Sequence, residues 1–471
     1  MLKRKMASAL TGLCLASCVA SALYARNAGA APDAPKANQS LEIPFEKLQL
    51  KNGLTLILHQ DRSLPLVAAN LWYHVGPANE PPKRSGFAHL FEHLMFEGSR
   101  HVGREFDTLL ESVGATNVNG TTSWDRTNYF ETVPREQLEL LLWIESDRMG
   151  FMLDGLDQER LDVQRDVVKN ERRQSYENAP YGPSSLLMLD SLFPEGTAYH
   201  GAIIGSMTDL SNATLDDVRD FFRTYYTPSN ATLTLAGDFE LDDAKRLVRK
   251  YFETLPDRPR KAASAQPIAP PSAPIRRELS EQVELARVAF GHVTPPAYTP
   301  DDALLEVTMA VLAGGKATRL YRALVVEGKL ASDVDAALDS NQLASSAVIS
   351  ATIASGKKPE EVEQAMSFVL ESLGKQGPTK AELERAKRRI LMSVLGNMEL
   401  LNGPGGESGR AGILQRFDHY LGKPGHLPDW VKEVERVSQS DVKRVVAQYL
   451  SPAHRVTVIT LPKSAAAGGA K

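Results

Sequence analysis

"LDDVRDFFRTYYTPSNATLTLAGDF", Leu215–Phe239, recurs in outline near the C-terminus as "QSDVKRVVAQYLSPAHRVTVITLP", Gln439–Pro462. Asp217, Val218, Tyr225 and Pro228 return as Asp441, Val442, Tyr449 and Pro452, all at one offset of 224. Each copy reads as a capped amphipathic helix, a proline turn and an alternating strand. Helix-turn-strand units are common. Four identities at an offset near half of the 471 residues nevertheless read as an internal duplication.

Working outward, "PDRPRKAASAQPIAPPSAPIRRE", Pro256–Glu278, has the Pro/Ala/Ser content of an extended linker. The expected organisation is an N-terminal domain over 43–257, a linker over 258–276, a homologous C-terminal domain over 277–463 and a flexible tail over 464–471. In the first half, "LTLILH", "LVAANLWYHV", "TNVNGTTS" and "RTNYFETV" read as strands. "REQLELLLWIESDRM" and "QERLDVQRDVVKNERRQSYE" read as long helices. The second half alternates similarly, without strict βαβ order. The predicted fold class is therefore α+β: two homologous α/β sandwich domains, duplicated within the chain, each packing helices on a mostly antiparallel sheet.

Composition excludes several function classes. Hydrophobic content of 42% and charged content of 24% are those of a globular chain, not of a disordered or multi-span membrane protein. Residues 1–30 read as an export signal: Lys3, Arg4 and Lys5, then the apolar "MASALTGLCLASCVASAL", then small residues around Ala28 and Ala30. Cleavage after Ala30 is the reading taken, with residues 31–42 as a leader. "LASC", Leu15–Cys18, also resembles a bacterial lipobox, in which Cys18 would carry a lipid anchor. Either route exports the chain to the periplasm and leaves no membrane span in the mature protein. Removing residues 1–30 deletes Lys3, Arg4, Lys5 and Arg26 and no acidic residue, which takes the net charge from −4 to −8. No nucleic-acid partner is expected of such a chain. Both cysteines, Cys14 and Cys18, fall in the removed segment. Disulfides, thiolate catalysis and cysteine-type metal sites are thereby excluded from the body of the protein.

The chemistry sits in "FAHLFEHLMFEGS", Phe87–Ser99. On a helix, His89 and His93 are one turn apart and Glu92 shares their face. Two imidazoles at that spacing can grip one metal ion, with the glutamate as base. The plain alternative is two hydrogen-bonded histidines on a buried helix. The spacing is the H-x-x-E-H motif, the inverse of the commoner zinc-protease order. A catalytic zinc site takes a third protein ligand, here His, Asp or Glu. The residue types alone do not select zinc over other divalent metals.

Taken with "QRDVVKNERRQSYENAPYG", "GATNVNGTTSWDRTNYF" and "YHGAIIGSMTDL", the motif resembles the pitrilysin/insulinase (M16) metallopeptidases, in particular the bacterial processing-peptidase-like kind. The resemblance spans nearly the whole mature chain. It implies two homologous α+β domains and one Zn²⁺ per chain, held by His89, His93 and Glu171. It implies that Glu92 takes a proton from the attacking water, and that peptides or unfolded segments are the substrates. Asn119 and Gly120 fall in the family's edge strand, where a peptide lies as an added strand; an ordinary Asn-Gly turn is the plain alternative.

The chain also departs from the family pattern. Gln164 stands where many members carry a supporting glutamate. Val325 and Ser332 stand where active members carry an Arg/Tyr pair opposite the metal, and the neighbouring Arg319, Tyr321 and Arg322 read as ordinary helix-face residues. In some relatives one subunit bears the zinc motif and a homologous subunit bears the Arg/Tyr pair. The expectation is therefore a zinc-bearing subunit of a heterodimer, against the alternatives of a self-sufficient homodimeric peptidase and a non-catalytic core-like subunit. His200 reads as structural. "GPGGESG", Gly403–Gly409, lacks the Gly-Lys-Ser/Thr ending of a phosphate loop and reads as a substrate-contacting loop or a plain turn.

Overall fold

The computed structural model describes residues 41–103, 106–258 and 268–463. The expected signal segment with Cys14 and Cys18, most of the leader, the middle of the linker and the tail lie outside those residues.

Eleven strands form two sheets among the described residues. The first half supplies β1 (Glu46–Gln49), β2 (Thr55–Gln60), β3 (Leu66–Tyr73), β4 (Thr116–Thr122), β5 (Thr127–Pro134) and β6 (Ala231–Gly237), in the spatial order β1-β2-β6-β3-β5-β4. The second half supplies β7 (Ile275–Glu281), β8 (Arg287–Thr294), β9 (Ala331–Asp339), β10 (Ser345–Ile353) and β11 (Val456–Pro462), in the order β7-β11-β8-β10-β9. Without β1 the two orders superimpose strand for strand. So do the directions: β2–β6 and β7–β11 are parallel, and every other pair is antiparallel. The α+β fold and its duplication are as the sequence predicts. Strand β7 begins at Ile275, so the last residues read as linker already belong to a sheet.

The repeated segment shows why the two copies fold alike. Helices Leu215–Tyr225 and Gln439–Tyr449 each open on a capping box, Thr214 with Asp217 and Ser438 with Asp441. In each, the cap hydroxyl accepts from the third amide while the aspartate accepts from the cap amide, satisfying two orphan donors. Each helix ends before a short proline turn, Pro228–Asn230 or Pro452–His454, that feeds the central strand β6 or β11. Burial of Val218, Phe221 and Phe222 in one copy, and of Val442, Val445 and Val446 in the other, fixes the inward face.

The two largest cores lie one under each sheet. The halves also exchange helices. Gly182–Leu192, from the first half, packs on β7, β8 and β11 of the second sheet. Gly291 on β8 makes room for it, since a Cβ there would fall 2.3 Å from the Met188 sulfur and 3.2 Å from Leu192. In return Gly409–Leu421, from the second half, lies on β2, β3 and β6. Gln415 on that helix donates to the carbonyls of Asn70 and Thr232, each at 2.7 Å. Among the described residues no helix is long and apolar enough to cross a membrane.

Candidate metal centre

The helix Phe87–Leu94 buries Phe87, Ala88, Leu90, Phe91 and Leu94 and leaves His89, Glu92 and His93 on its other face. Its start is held without a side-chain cap on Gly86, which takes a left-handed φ of 89°. Glu80 replaces that cap by accepting from the amides of Gly86 at 2.9 Å and Ala88 at 2.8 Å. Burial outweighs those bonds and pushes the Glu80 carboxyl up to about 8.

Glu171 lies in the last turn of Gln158–Arg172, which passes directly into a π-helical turn, Arg173–Glu177. One segment ties this helix to the histidine helix. Arg172 donates to the carbonyl of Gly205. Beside it Ser206 donates its amide to Ser85 Oγ at 3.0 Å, and Ser85 donates to Asp209. A Cβ on Gly205 would fall 2.3 Å from the Ser85 carbonyl, and one on Gly86 would fall 2.6 Å from the Ile204 carbonyl. The crossing of 85–86 over 204–206 therefore requires glycine on both strands. This gives "YHGAIIGSMTDL" a physical role that spacing did not reveal.

The structure brings His89, His93 and Glu171 together, with one ligand atom of each within 4.8 Å of the others. His93 Nε2 is 3.2 Å and His89 Nε2 is 3.8 Å from the Glu171 carboxylate. Zinc bonds of about 2.0–2.1 Å in tetrahedral geometry put neighbouring ligand atoms about 3.3 Å apart. Two imidazoles and a carboxylate at these separations fit one zinc ion. The electrostatics agree. Burial, and then the adjacent His93, push His89 down to about 4, while Glu171 opposes them; the imidazole is thus in the neutral form a metal requires. The hydrogen bond from His93, against a smaller burial effect, holds Glu171 below the usual carboxylate range.

Glu92 is nearly buried, and burial raises its proton affinity against the opposing hydrogen bond from Thr122 Oγ1, which is 2.7 Å long. Thr122 was not legible as a site residue, because it lies thirty positions away on β4. Strand β4 is an edge strand of its sheet, so its outer side is unpaired among the described residues. Gly120 on it packs against Glu92: a Cβ there would fall 3.0 Å from Glu92 Cγ and 3.1 Å from the Phe96 ring. Asn119 accepts from the Gly120 amide at 2.9 Å, and pairing with β5 is irregular between Thr116 and Asn119.

Other candidates lie elsewhere. Gln164 donates to Glu97, just beyond the histidine helix. Val325 falls in the π-helical turn Tyr321–Glu327, and the Ser332 hydroxyl reaches the Thr352 carbonyl at 3.3 Å. Arg319 is held by Glu382 at 2.7 Å, Arg322 by Glu327 at 3.0 Å, and Tyr321 packs on the second core. His200 bonds the Phe193 carbonyl at 2.8 Å. The glycine loop 403–409 is neither a phosphate loop nor a free turn: it docks on β4 and β5 of the first half.

Comparison with known proteins places the chain in a family. Residues 55–190 match the family model "Insulinase (Peptidase family M16)", and residues 212–390 match "Peptidase M16 inactive domain". The zinc protease PqqE of Helicobacter pylori is 29% identical over 434 residues, covering 90% of this chain and 94% of its own. A crystal structure of a protease from Helicobacter pylori superposes with a TM-score of 0.82 at 26% identity, over 89% of this chain and all of the other. The periplasmic protease PqqL of Escherichia coli shares the fold at a TM-score of 0.72 and 19% identity, with 91% of this chain matching 49% of that one. The chain belongs to the M16 (insulinase) family of metallopeptidases.

Proposed function

We propose that the protein is a zinc-dependent endopeptidase that cuts peptides or unfolded polypeptide segments. The observation that carries this reading is the convergence of His89, His93 and Glu171, with Glu92 on the same helix face. One zinc ion held there supplies positive charge that acidifies water and polarises a peptide carbonyl. Glu92 takes the proton of the attacking water and returns it to the leaving amine as the carbon–nitrogen bond breaks. The exposed edge of β4 accepts the substrate as an added strand, with Asn119 and Gly120 beside the reacting bond. Gln164 tunes the centre from a distance through Glu97.

A heterodimer with a homologous Arg/Tyr-bearing partner is the assembly favoured. Val325 and Ser332 offer neither a cation nor a phenol, and Arg319 is committed to Glu382. PqqL, in which this chain matches only 49% of the length, is consistent with two such units acting together. Periplasmic export is proposed from residues 1–30.

Purified mature chain, assayed for metal and for peptide cleavage alone and with a homologous partner, tests the reading. Bound zinc and cleavage that needs the partner are expected. Glu92→Gln should lower kcat by at least about 100-fold with zinc retained. Absence of zinc would end the enzyme reading, and full activity alone would end the heterodimer.

A further inference from the structure

The base of the proposed reaction is held by the edge strand, and the edge strand is held by the other half of the chain. Thr122, which donates to Glu92, is the last residue of β4. Its neighbour Thr121 and the facing Asn128 on β5 are both gripped by Arg126. Arg126 Nη1 donates to the Thr121 carbonyl at 2.8 Å, to its hydroxyl at 2.5 Å and to Asn128 Oδ1 at 2.7 Å. Arg126 is only 3% exposed, and its guanidinium lies 5.0 Å over the Trp72 ring. A charge so deeply placed needs a counter-charge, since burying it unpaired is strongly unfavourable. Among the described residues its ion-pair partner is Glu407, at 3.0 Å from Nε, in the glycine loop of the second half.

The loop is built to come this close. Gly406 has a φ of 64°, and a Cβ there would fall 2.2 Å from Asn128 Nδ2. Its carbonyl accepts from Asn70 Nδ2 at 2.6 Å, and Asn128 Nδ2 donates to Asn70 Oδ1 at 3.1 Å. The contacts thus run unbroken from a loop of the second half, through Arg126 and the β4–β5 hairpin, to the hydroxyl that orients Glu92.

We propose that Glu407 and Arg126 are positioning residues for Glu92, so that the second half completes the catalytic geometry of the first within one chain. This rests on the peptidase reading above. Misplacing a base by about 1 Å can cost as much as 100-fold in rate.

The test compares full-length variants by kcat, KM, zinc content and melting temperature. Glu407→Gln should lower kcat by about tenfold or more, with KM within about twofold and zinc undiminished. Thr122→Val should do the same without disturbing the loop, and Thr122→Ser should restore the rate. A crystal structure of metal-free Glu407→Gln should show the 2.7 Å Thr122–Glu92 bond lengthened or lost. Asp418→Asn, which breaks the Lys47–Asp418 pair between the same two halves, is the control and should leave kcat unchanged. Wild-type kcat in Glu407→Gln or Thr122→Val would overturn the proposal, as would an equal fall in Asp418→Asn. Should the unaltered protein cleave nothing with zinc and partner present, the peptidase reading fails instead, and this inference with it.

Discussion

The helix Phe87–Leu94 has a counterpart in the second half, Asp302–Leu312, that occupies the same place with none of its chemistry. Each follows the matching strand, β3 or β8. Each packs against the edge strand of its sheet, against the later long helix, and against the capped helix of the repeated segment. In the first half the sequence "FAHLFEHL" keeps one polar face. In the second, "DALLEVTMAVL" is buried almost all round, from Ala303 to Leu312. The matching long helices, Gln158–Arg172 and Lys380–Met398, differ likewise, because Glu171 belongs only to the first. Packing instructions are thus shared by both copies and ligand chemistry by one.

The sharpest way to break this comparison is at the metal. Glu171→Gln should weaken zinc binding by more than the roughly 10–100-fold typical of outer-shell changes, read by equilibrium dialysis against a chelator. Met392→Gln, exposed on the matching helix of the second half, should leave binding unchanged. Retained zinc in the first variant would remove Glu171 from the centre.

A smaller effect is expected at the duplicated caps. Thr214→Ala and Ser438→Ala should each cost about 1 kcal/mol in urea unfolding, since each removes the same cap hydroxyl, which accepts from the third amide and donates to the aspartate. Costs agreeing within about 0.5 kcal/mol would sharpen the equivalence, whereas a cost confined to one copy would break it.

An effect confined to low pH is expected at the second half's buried histidine. Burial, and then Arg455, push His292 down to about 3, and among the described residues neither ring nitrogen has a hydrogen-bond partner. A folded-state pKa below the ordinary 6.5 means that the neutral ring contributes stability above about pH 6.5. That stability is lost progressively as pH falls towards about 3. His292→Leu should flatten the decline in stability between pH 6.5 and 4 and leave peptide cleavage unchanged. An acid limb as steep as that of the unaltered chain would show that His292 does not set it.

Much of the fold was legible because its determinants are local. The caps, the proline turns and the apolar spacing of the repeated segment all act within a few residues, and all reappear in the structure. His89, Glu92 and His93 were legible for the same reason. Glu171 was not: on a charged helix it resembles any solvated glutamate, and only likeness to a family singled it out. Thr122, Glu80 and Gly205 were invisible because each acts on the histidine helix or its neighbour across a loop whose path no local pattern fixes. The glycine loop reads in the sequence as substrate-contacting or as a plain turn, and that Gly406 lets it dock on the first half is decided only by the fold.

By itself, then, the sequence determined that the chain is two copies of one α+β unit, that one copy carries a helix with the H-x-x-E-H motif, and that cysteine chemistry plays no part in the body of the protein. These follow from side-chain periodicity, capping and residue type, which act at short range. The tertiary structure alone decided that each half lends a helix to the other's sheet, that Glu171 meets the two histidines, and that Arg126 is neutralised by Glu407, 281 residues away. The physical reason is that burying a charge or an apolar face is a demand the sequence states locally. Which distant segment meets that demand is set only when the whole chain has packed.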